Sequence, residues 1–435
     1  MRHARIQDLI THDAHGRPIP TDRDELTAAL AAARAATPLT HTAARWSAVA
    51  LLALATPRPY GKPHGPTPHG PDGGLPAAHD HGDSVQAAHN DTRTPVDPAA
   101  PHETAALCGS AAYDEARDLL DRALALAPAP ADLVATRLDL ATLHHLRGDL
   151  YAATTLLTRT LPLARDHAPA LEQTALNHLA TLTSADFRQT LPPAIAALLG
   201  PSPTWSDDHE GLSGSVSRVK ATTGTFWIKH GPAATAEHTR LTWLTARGLP
   251  TPEIAAYEPN DPALTPALLV LADAASPSLA TASLSGAEIG ARLGRTLRAL
   301  HTLPPCPFDG SLDVMLDESR RQVLEDLVDA DDFDPDNEGQ TPGQVLTRLL
   351  TTRPPAEDLV VTHGDFTPSN VLLNGTILDV SRLGMADRHR DLALAARDLT
   401  EDFGPAAVTA FFTAYCLATP DPALLEYYRL LDELF

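Results

Sequence analysis

Three side chains in one short stretch, VTHGDFTPSNVLLNGTILDV at 361–380, have the types and spacing that phosphoryl transfer requires. His363, Gly364 and Asp365 open a tight loop, Asn370 follows on the same loop, and Asp379 ends the apolar run TILD. Phosphoryl transfer passes through a loose transition state, so catalysis is mostly positioning and charge neutralisation. One loop carboxylate can receive and orient the acceptor hydroxyl. An amide on that loop and a second carboxylate after the next strand can hold magnesium on the nucleotide phosphates. Asp365, Asn370 and Asp379 match those roles in order. Singly each is ordinary, since HGD is common in turns and an aspartate after a short apolar run often begins a loop. The joint pattern is what predicts the chemistry.

Such a constellation needs a nucleotide clamp upstream. Residues 211–229, GLSGSVSRVKATTGTFWIK, read as two alternating strands around a turn at Thr223 and Gly224, a hairpin suited to cover phosphates. Ser213, Gly214 and Ser215 would let the backbone approach the phosphates and would offer N–H and hydroxyl donors, although a Ser/Gly turn alone is usually just a turn. Lys229 ends the second strand, where a lysine would hold the α- and β-phosphates. Glu237, in the helix-like AEHTRLTWL, would be its ion-pair partner. The run LLVLADA at 268–274 reads as the strand and hinge whose backbone would bond adenine.

With 435 residues the chain has the length of two or three domains, each able to bury a core. Hydrophobic residues make up 43% but aromatics only 5%, so helices meeting through small residues are expected. The run WSAVALLALA at 46–55 is too short to span a bilayer and too far from residue 1 for a signal peptide, which predicts a cytoplasmic protein with no membrane segment. Cys108, Cys306 and Cys416 are odd in number and far apart, the pattern of buried small hydrophobes rather than of disulfides or a thiolate metal site. The formal net charge is −22, and residues 201–435 hold 34 acidic against 17 basic residues, compared with 21 against 16 before them. Such a field repels nucleic acid and anionic membrane and attracts a polycationic partner, although solubility alone usually explains an acidic surface.

Residues 1–56 carry one or two Ala-rich helices broken at Pro38. Residues 57–103 shift to Pro, Gly, His, Asp and Asn, the composition of a linker that cannot build a core. The histidines there (His64, His69, His79, His81, His89, His102) follow no spacing that fixes a metal geometry. Helical periodicity returns over 104–190, at 111–128 and 150–169, with helix-like segments at 131–147 and 170–183. The period of about 38 to 40 residues resembles a degenerate tetratricopeptide array. A module for a protein partner or for self-association, and a helical bundle capping the rest of the chain, both fit it.

From about residue 205 onward the chain resembles the aminoglycoside 3′-phosphotransferases of the antibiotic-resistance kinase family. The resemblance rests on LVVTHGDFTPSNVLL, LDVSRLGMADRHRDLALAARDL, RALHTLPPCPFD at 298–309, HTRLTWLTARGLPTP at 238–252 and YYRLLDELF at 427–435. It implies an α+β, bilobal protein-kinase-like domain over 191–435, preceded by the all-α, possibly tetratricopeptide-like region, and use of ATP and Mg2+. It places Trp227 where the family stacks an aromatic ring on adenine, a position a core tryptophan would also suit. It further implies acceptor-binding acids at Asp331, Asp334, Glu401, Asp402, Asp432 and Glu433, ordered by Arg382 and Arg397, with the carboxylate of Phe435 contacting an amine of the drug. The implied substrate is a cationic aminoglycoside or related aminosugar, phosphorylated on the 3′-hydroxyl and thereby inactivated. A biosynthetic small-molecule or peptide kinase is the alternative, and a pseudokinase fused to a repeat scaffold a third. Every predicted catalytic element lies after residue 205, so the extension is expected to be dispensable for the chemistry.

Overall fold

The computed structural model describes residues 6–12, 18–34, 40–55, 100–184, 187–206, 216–261 and 266–435, with side chains left undescribed for 100–110. Most of the predicted linker, and with it the histidines before residue 100, therefore lies outside the described residues. A small hairpin, β1 (Ile10–His12) and β2 (Pro18–Pro20), precedes α1 (Arg23–Arg34) and α2 (His41–Ala55). Four longer helices follow: α3 (Ala100–Leu126), α4 (Pro130–Leu146), α5 (Leu150–His167) and α6 (Pro169–Ser184). The first of these begins at Ala100 rather than at 111 or after a linker ending at 103. Each helix packs on the next in sequence. Leu120, Leu138, Leu143, Leu156 and Leu157 recur at helical spacing and fill one core with Leu26, Leu30 and Leu52. Asp149 caps α5 by accepting from Ala152 N at 3.0 Å.

A turn at Phe187–Gln189 and the short α7 (Pro193–Leu199) lead to a five-stranded sheet. Its strands are β3 (Thr204–Ser206), β4 (Val216–Ala221), β5 (Gly224–His230), β6 (Ile254–Glu258) and β7 (Leu268–Ala272), in the order β3-β4-β5-β7-β6, with α8 (Pro232–Thr245) after β5. The hairpin turn is Thr222–Thr223, and Gly224 already pairs with Ala221, one position from the predicted turn. Alternation along β5 sends Phe226 and Ile228 to the back of the sheet, against Phe187, Ile195 and Leu199. It leaves Trp227 and Lys229 together on the opposite face.

The second lobe comprises α9 (Gly286–His301), α10 (Leu312–Leu324), α11 (Pro342–Thr351), the hairpin β8 (Leu359–Thr362) and β9 (Gly384–Asp387), α12 (His389–Phe403), α13 (Pro405–Tyr415) and α14 (Pro422–Asp432). Helix α9 opens with a capping box between Ser285 and Glu288 and buries Ile289, Leu293, Leu297 and Leu300 on one stripe. At Gly290 it approaches α13 so closely that a Cβ would lie 2.0 Å from the Ala407 carbonyl oxygen. The architecture is α+β and bilobal behind an extension that is helical apart from the β1–β2 hairpin, where an all-α region was expected. Cys306 is buried, as expected, but Cys416 is exposed at the end of α13. No described helix is long and apolar enough to cross a membrane.

The extension packs on the kinase-like part through a buried ionic knot. Arg117 Nε donates to Glu325 Oε1 at 2.8 Å, His144 Nε2 donates to Glu325 Oε2 at 2.7 Å, and Asp149 lies 3.7 Å from His144 Nδ1. Burial alone would lower the His144 pKa, but Asp149 and Glu325 push it up from 6.5 to about 9. Burial together with Glu325 pushes Asp121 up to about 7. Glu325, despite its burial, is held down at about 2 by His144 and Arg117. A histidine raised in this way contributes its full stability below pH 6.5 and loses it as pH rises through about 9. The raised Asp121 carboxyl loses its contribution in the same direction, through about 7, whereas that of Glu325 is lost only as pH falls from 4.5 towards 2. Stability of the full chain is therefore expected to drop by roughly 3 kcal/mol between the ordinary and the raised His144 pKa. Urea unfolding midpoints across that interval check this, and a flat profile would show that the knot does not titrate with folding.

Candidate active site

The loop after β8 is shaped by a residue far along the chain. Asp391, fully buried in the first turn of α12, accepts from His363 N at 2.6 Å, Gly364 N at 2.8 Å and His301 Nε2 at 3.0 Å. Burial pushes its carboxyl up, but these bonds outweigh burial and hold it below the usual carboxylate range. Gly364 has φ +92°, and a Cβ there would sit 2.7 Å from the Arg382 carbonyl oxygen, so the turn requires glycine on both counts. His363 Nε2 donates to the Leu378 carbonyl at 2.7 Å while Nδ1 accepts from Asp365 N at 3.2 Å, so this ring braces the loop. The buried Arg390 lies against the same turn, and burial lowers its pKa to about 10. Neither Asp391 nor His301 was singled out from the sequence. The available signal was an acid set in the apolar stripe of α12 with Leu392, Ala395 and Leu399.

Around this loop the predicted catalytic group comes together. Asn370 Nδ2 donates to the carbonyl oxygen and to Oδ2 of Asp365, at 2.9 and 3.0 Å, so the amide oxygen is the atom that could hold a cation. Asp379 adopts the left-handed region (φ 53°, ψ 54°), a strained conformation that aspartate tolerates better than most residues. Lys229 Nζ lies 2.6 Å from Glu237 Oε2 and 3.1 Å from Asp379 Oδ1, linking the two lobes. Burial would discharge Lys229, but the two carboxylates raise its pKa and keep it charged. Burial raises and Lys229 lowers the Asp379 pKa, and the lysine prevails. Trp227 is half-buried against the core beside the cleft, with the Arg218 guanidinium 5.8 Å from its ring centroid. Ser213, Gly214 and Ser215 lie outside the described residues.

An ionised carboxylate at Asp379 and an amide oxygen at Asn370 are hard donors that fit Mg2+, which takes few protein ligands and keeps water and phosphate oxygens. No group of three or more His, Cys, Asp or Glu forms a metal cage among the described residues. An ion held here would complete its shell from water and phosphate.

On the acceptor side, Arg397 Nη1 reaches Asp432 Oδ2 at 3.0 Å and its Nε reaches Asp398 at 3.0 Å, while Arg382 lies 4.0 Å from Asp432. Glu433 accepts from Asp334 N at 3.1 Å and from Asn337 Nδ2 at 2.6 Å, and Arg429 pairs with Asp334 at 3.4 Å. Thus α14 ties down the loop that carries the predicted acceptor acids. Burial raises the pKa of Asp432, and Asp365 adds to the rise; burial likewise raises Asp398 and Glu433. Glu401 lines a cavity of about 220 Å³ with Arg397, Thr400 and Arg429. Phe435 is exposed, with the Arg382 guanidinium 5.3 Å from its ring centroid. Asp331 and Asp402 are exposed on the loop and on α12, and among the described residues no side-chain bond draws them into the wall. Asp398, its neighbour in charge, was not anticipated.

A β-sheet lobe and a helical lobe linked by the Lys229–Asp379 pair, with Asp365 and Asn370 joined on the adjoining loop, define a phosphotransferase of the kinase type. The sequence model of the phosphotransferase enzyme family matches residues 204–428. The chain is 44% identical over 218 residues to an aminoglycoside 3′-phosphotransferase of Streptomyces fradiae, covering 46% of this chain and 78% of that one. It is 37% identical over 258 residues to one of Streptomyces ribosidificus, covering 54% and 97%. The crystal structure of an aminoglycoside-3′-phosphotransferase of type VIII superposes with a TM-score of 0.51 at 34% identity, covering 56% of this chain and 98% of that chain. The chain belongs to the phosphotransferase enzyme family and is an enzyme that phosphorylates an alcohol group. The family match begins at Thr204, so the helical extension lies outside it.

Proposed function

We propose that the enzyme transfers the γ-phosphoryl group of ATP to a hydroxyl of a cationic aminoglycoside, the 3′-hydroxyl, and so inactivates it. The observation that carries this reading is the acidic wall beside Asp365. Asp398, Asp432 and Glu433 are partly buried and raised in pKa, an electrostatic cost that an acceptor bearing several ammonium groups relieves by charge-assisted hydrogen bonds. The names of the relatives supply the same substrate class.

In this reading Asp365 receives the acceptor proton and aims the hydroxyl, held in place by Asn370. Lys229 grips the nucleotide phosphates while Glu237 keeps it extended. Asp379 and Asn370 hold Mg2+, which neutralises charge on the phosphates when bound. Arg382 and Arg397 draw the Asp432 pKa down against burial and Asp365, which together leave it raised. The intact Lys229, Asp365, Asn370 and Asp379 count against a pseudokinase. The test is turnover with magnesium-ATP on a panel of aminoglycosides with and without a 3′-hydroxyl. Phosphorylation confined to the members that carry it is expected. Equal turnover of both sets would overturn the 3′ assignment, and turnover of neither would favour a biosynthetic kinase acting on another acceptor.

A further inference from the structure

The segment joining α10 to the acceptor loop is gripped, residue by residue, by the helical extension. Glu325 is fully buried between Arg117 and His144. Asp326 takes the left-handed region (φ 62°), unusual for a residue with a Cβ, and its carboxylate faces Arg137 Nη2 at 3.2 Å and Arg159 Nη1 at 3.6 Å. Arg159 Nη1 also donates to the carbonyl oxygens of Asp326 at 2.5 Å and Val328 at 3.0 Å. Leu327 packs into the core of the extension, whereas Val328 packs into the cluster beneath α14 that also holds Phe333. One arginine from the extension therefore closes the turn from which residues 329–341 depart.

The extension is itself seated on the other lobe. Asn260 Nδ2 donates to the Leu146 carbonyl at 3.0 Å, and the Gly148 carbonyl comes so near Gly231 that a Cβ there would lie 3.0 Å away. Gly231 directly precedes α8, which carries Glu237. A body in contact with both lobes is a fixed reference for the loop relative to the nucleotide clamp.

We propose that Arg159 is a positioning residue for the acceptor. By bonding the Asp326 and Val328 carbonyls it sets the base of the loop that bears Asp331 and Asp334, so the helical extension tunes acceptor binding while every reacting group stays in the kinase domain. This rests on the acceptor reading above, and the physical basis is that a strained, left-handed turn persists only where its surroundings over-determine it.

The test uses the full chain with Arg159→Ala and Arg159→Lys. In Arg159→Ala, amide hydrogen exchange over 326–338 should quicken about tenfold or more while exchange over 363–379 stays at the wild-type rate. The apparent KM for an aminoglycoside should rise roughly tenfold, as expected for the loss of one charge-assisted hydrogen-bond pair, with KM for ATP and the unfolding midpoint little changed. Arg159→Lys, whose ammonium can still bridge two carbonyls, should recover part of the loss. Unchanged exchange over 326–338 overturns the proposal, as does a parallel rise in both KM values with a lower midpoint, the mark of a structural role alone. If the wild type phosphorylates no aminoglycoside, the acceptor reading fails, and hydrogen exchange still decides whether Arg159 holds the loop.

Discussion

Replacing Asp365 by alanine is expected to cut turnover by roughly 10² to 10⁴, the range a positioned proton acceptor supplies, while nucleotide affinity stays at the wild-type value. Among the described residues, the bond from Asn370 Nδ2 ties the side chain to the predicted nucleotide side, and that amide also reaches the Asp365 carbonyl, so the tie survives in part. Turnover measured beside calorimetric nucleotide binding separates the two effects. Retention of more than about a tenth of wild-type activity, outside that range, would remove Asp365 from the role.

The second large effect is expected at Asp379, where alanine should abolish the magnesium dependence of nucleotide binding and with it activity. Asp379 faces Lys229 at 3.1 Å, is held ionised there, and sits at φ 53°. On the proposed reading alanine loses a metal ligand, and it also bears backbone strain of about 1 kcal/mol. Asp379→Asn keeps the shape and tolerates the left-handed region, so it isolates the charge. Nucleotide affinity titrated against magnesium reads both variants, and a normal magnesium response in either one would assign the ion to other ligands.

What was legible in the sequence is what local chain geometry dictates. Asp365, Asn370 and Asp379 lie within one loop-strand-loop unit, and Lys229 and Glu237 at the end of a strand and in the following helix, so short connections alone bring each set into register. The alternating strands read around the turn put Trp227 and Lys229 on one face of β5. The turn at Thr222–Thr223 was one residue off because a single residue shift is all that distinguishes neighbouring hairpin registers, and only cross-strand pairing selects one.

Tertiary structure alone decided the rest, because each remaining feature depends on groups brought together by packing. Asp391 reads only as an acid set in the apolar stripe of α12, with no partner in view, until packing places it under the loop after β8 with His301, 90 residues earlier in the chain. Glu433, which the resemblance places among the acceptor acids, also accepts from Asp334 N and Asn337 Nδ2, partners that no local spacing announces. The docking of the extension is the largest such case: Arg117, His144 and Arg159 carry no sequence signal for Glu325 and Val328, since a buried ion pair is specified by the surfaces that exclude water around it. Sequence spacing by itself brought Lys229, Asp365, Asn370 and Asp379 together in a kinase-like unit; long-range packing decided how Asp432 and Glu433 are tied to Arg397 and Asn337 and that the helical extension grips residues 325–328.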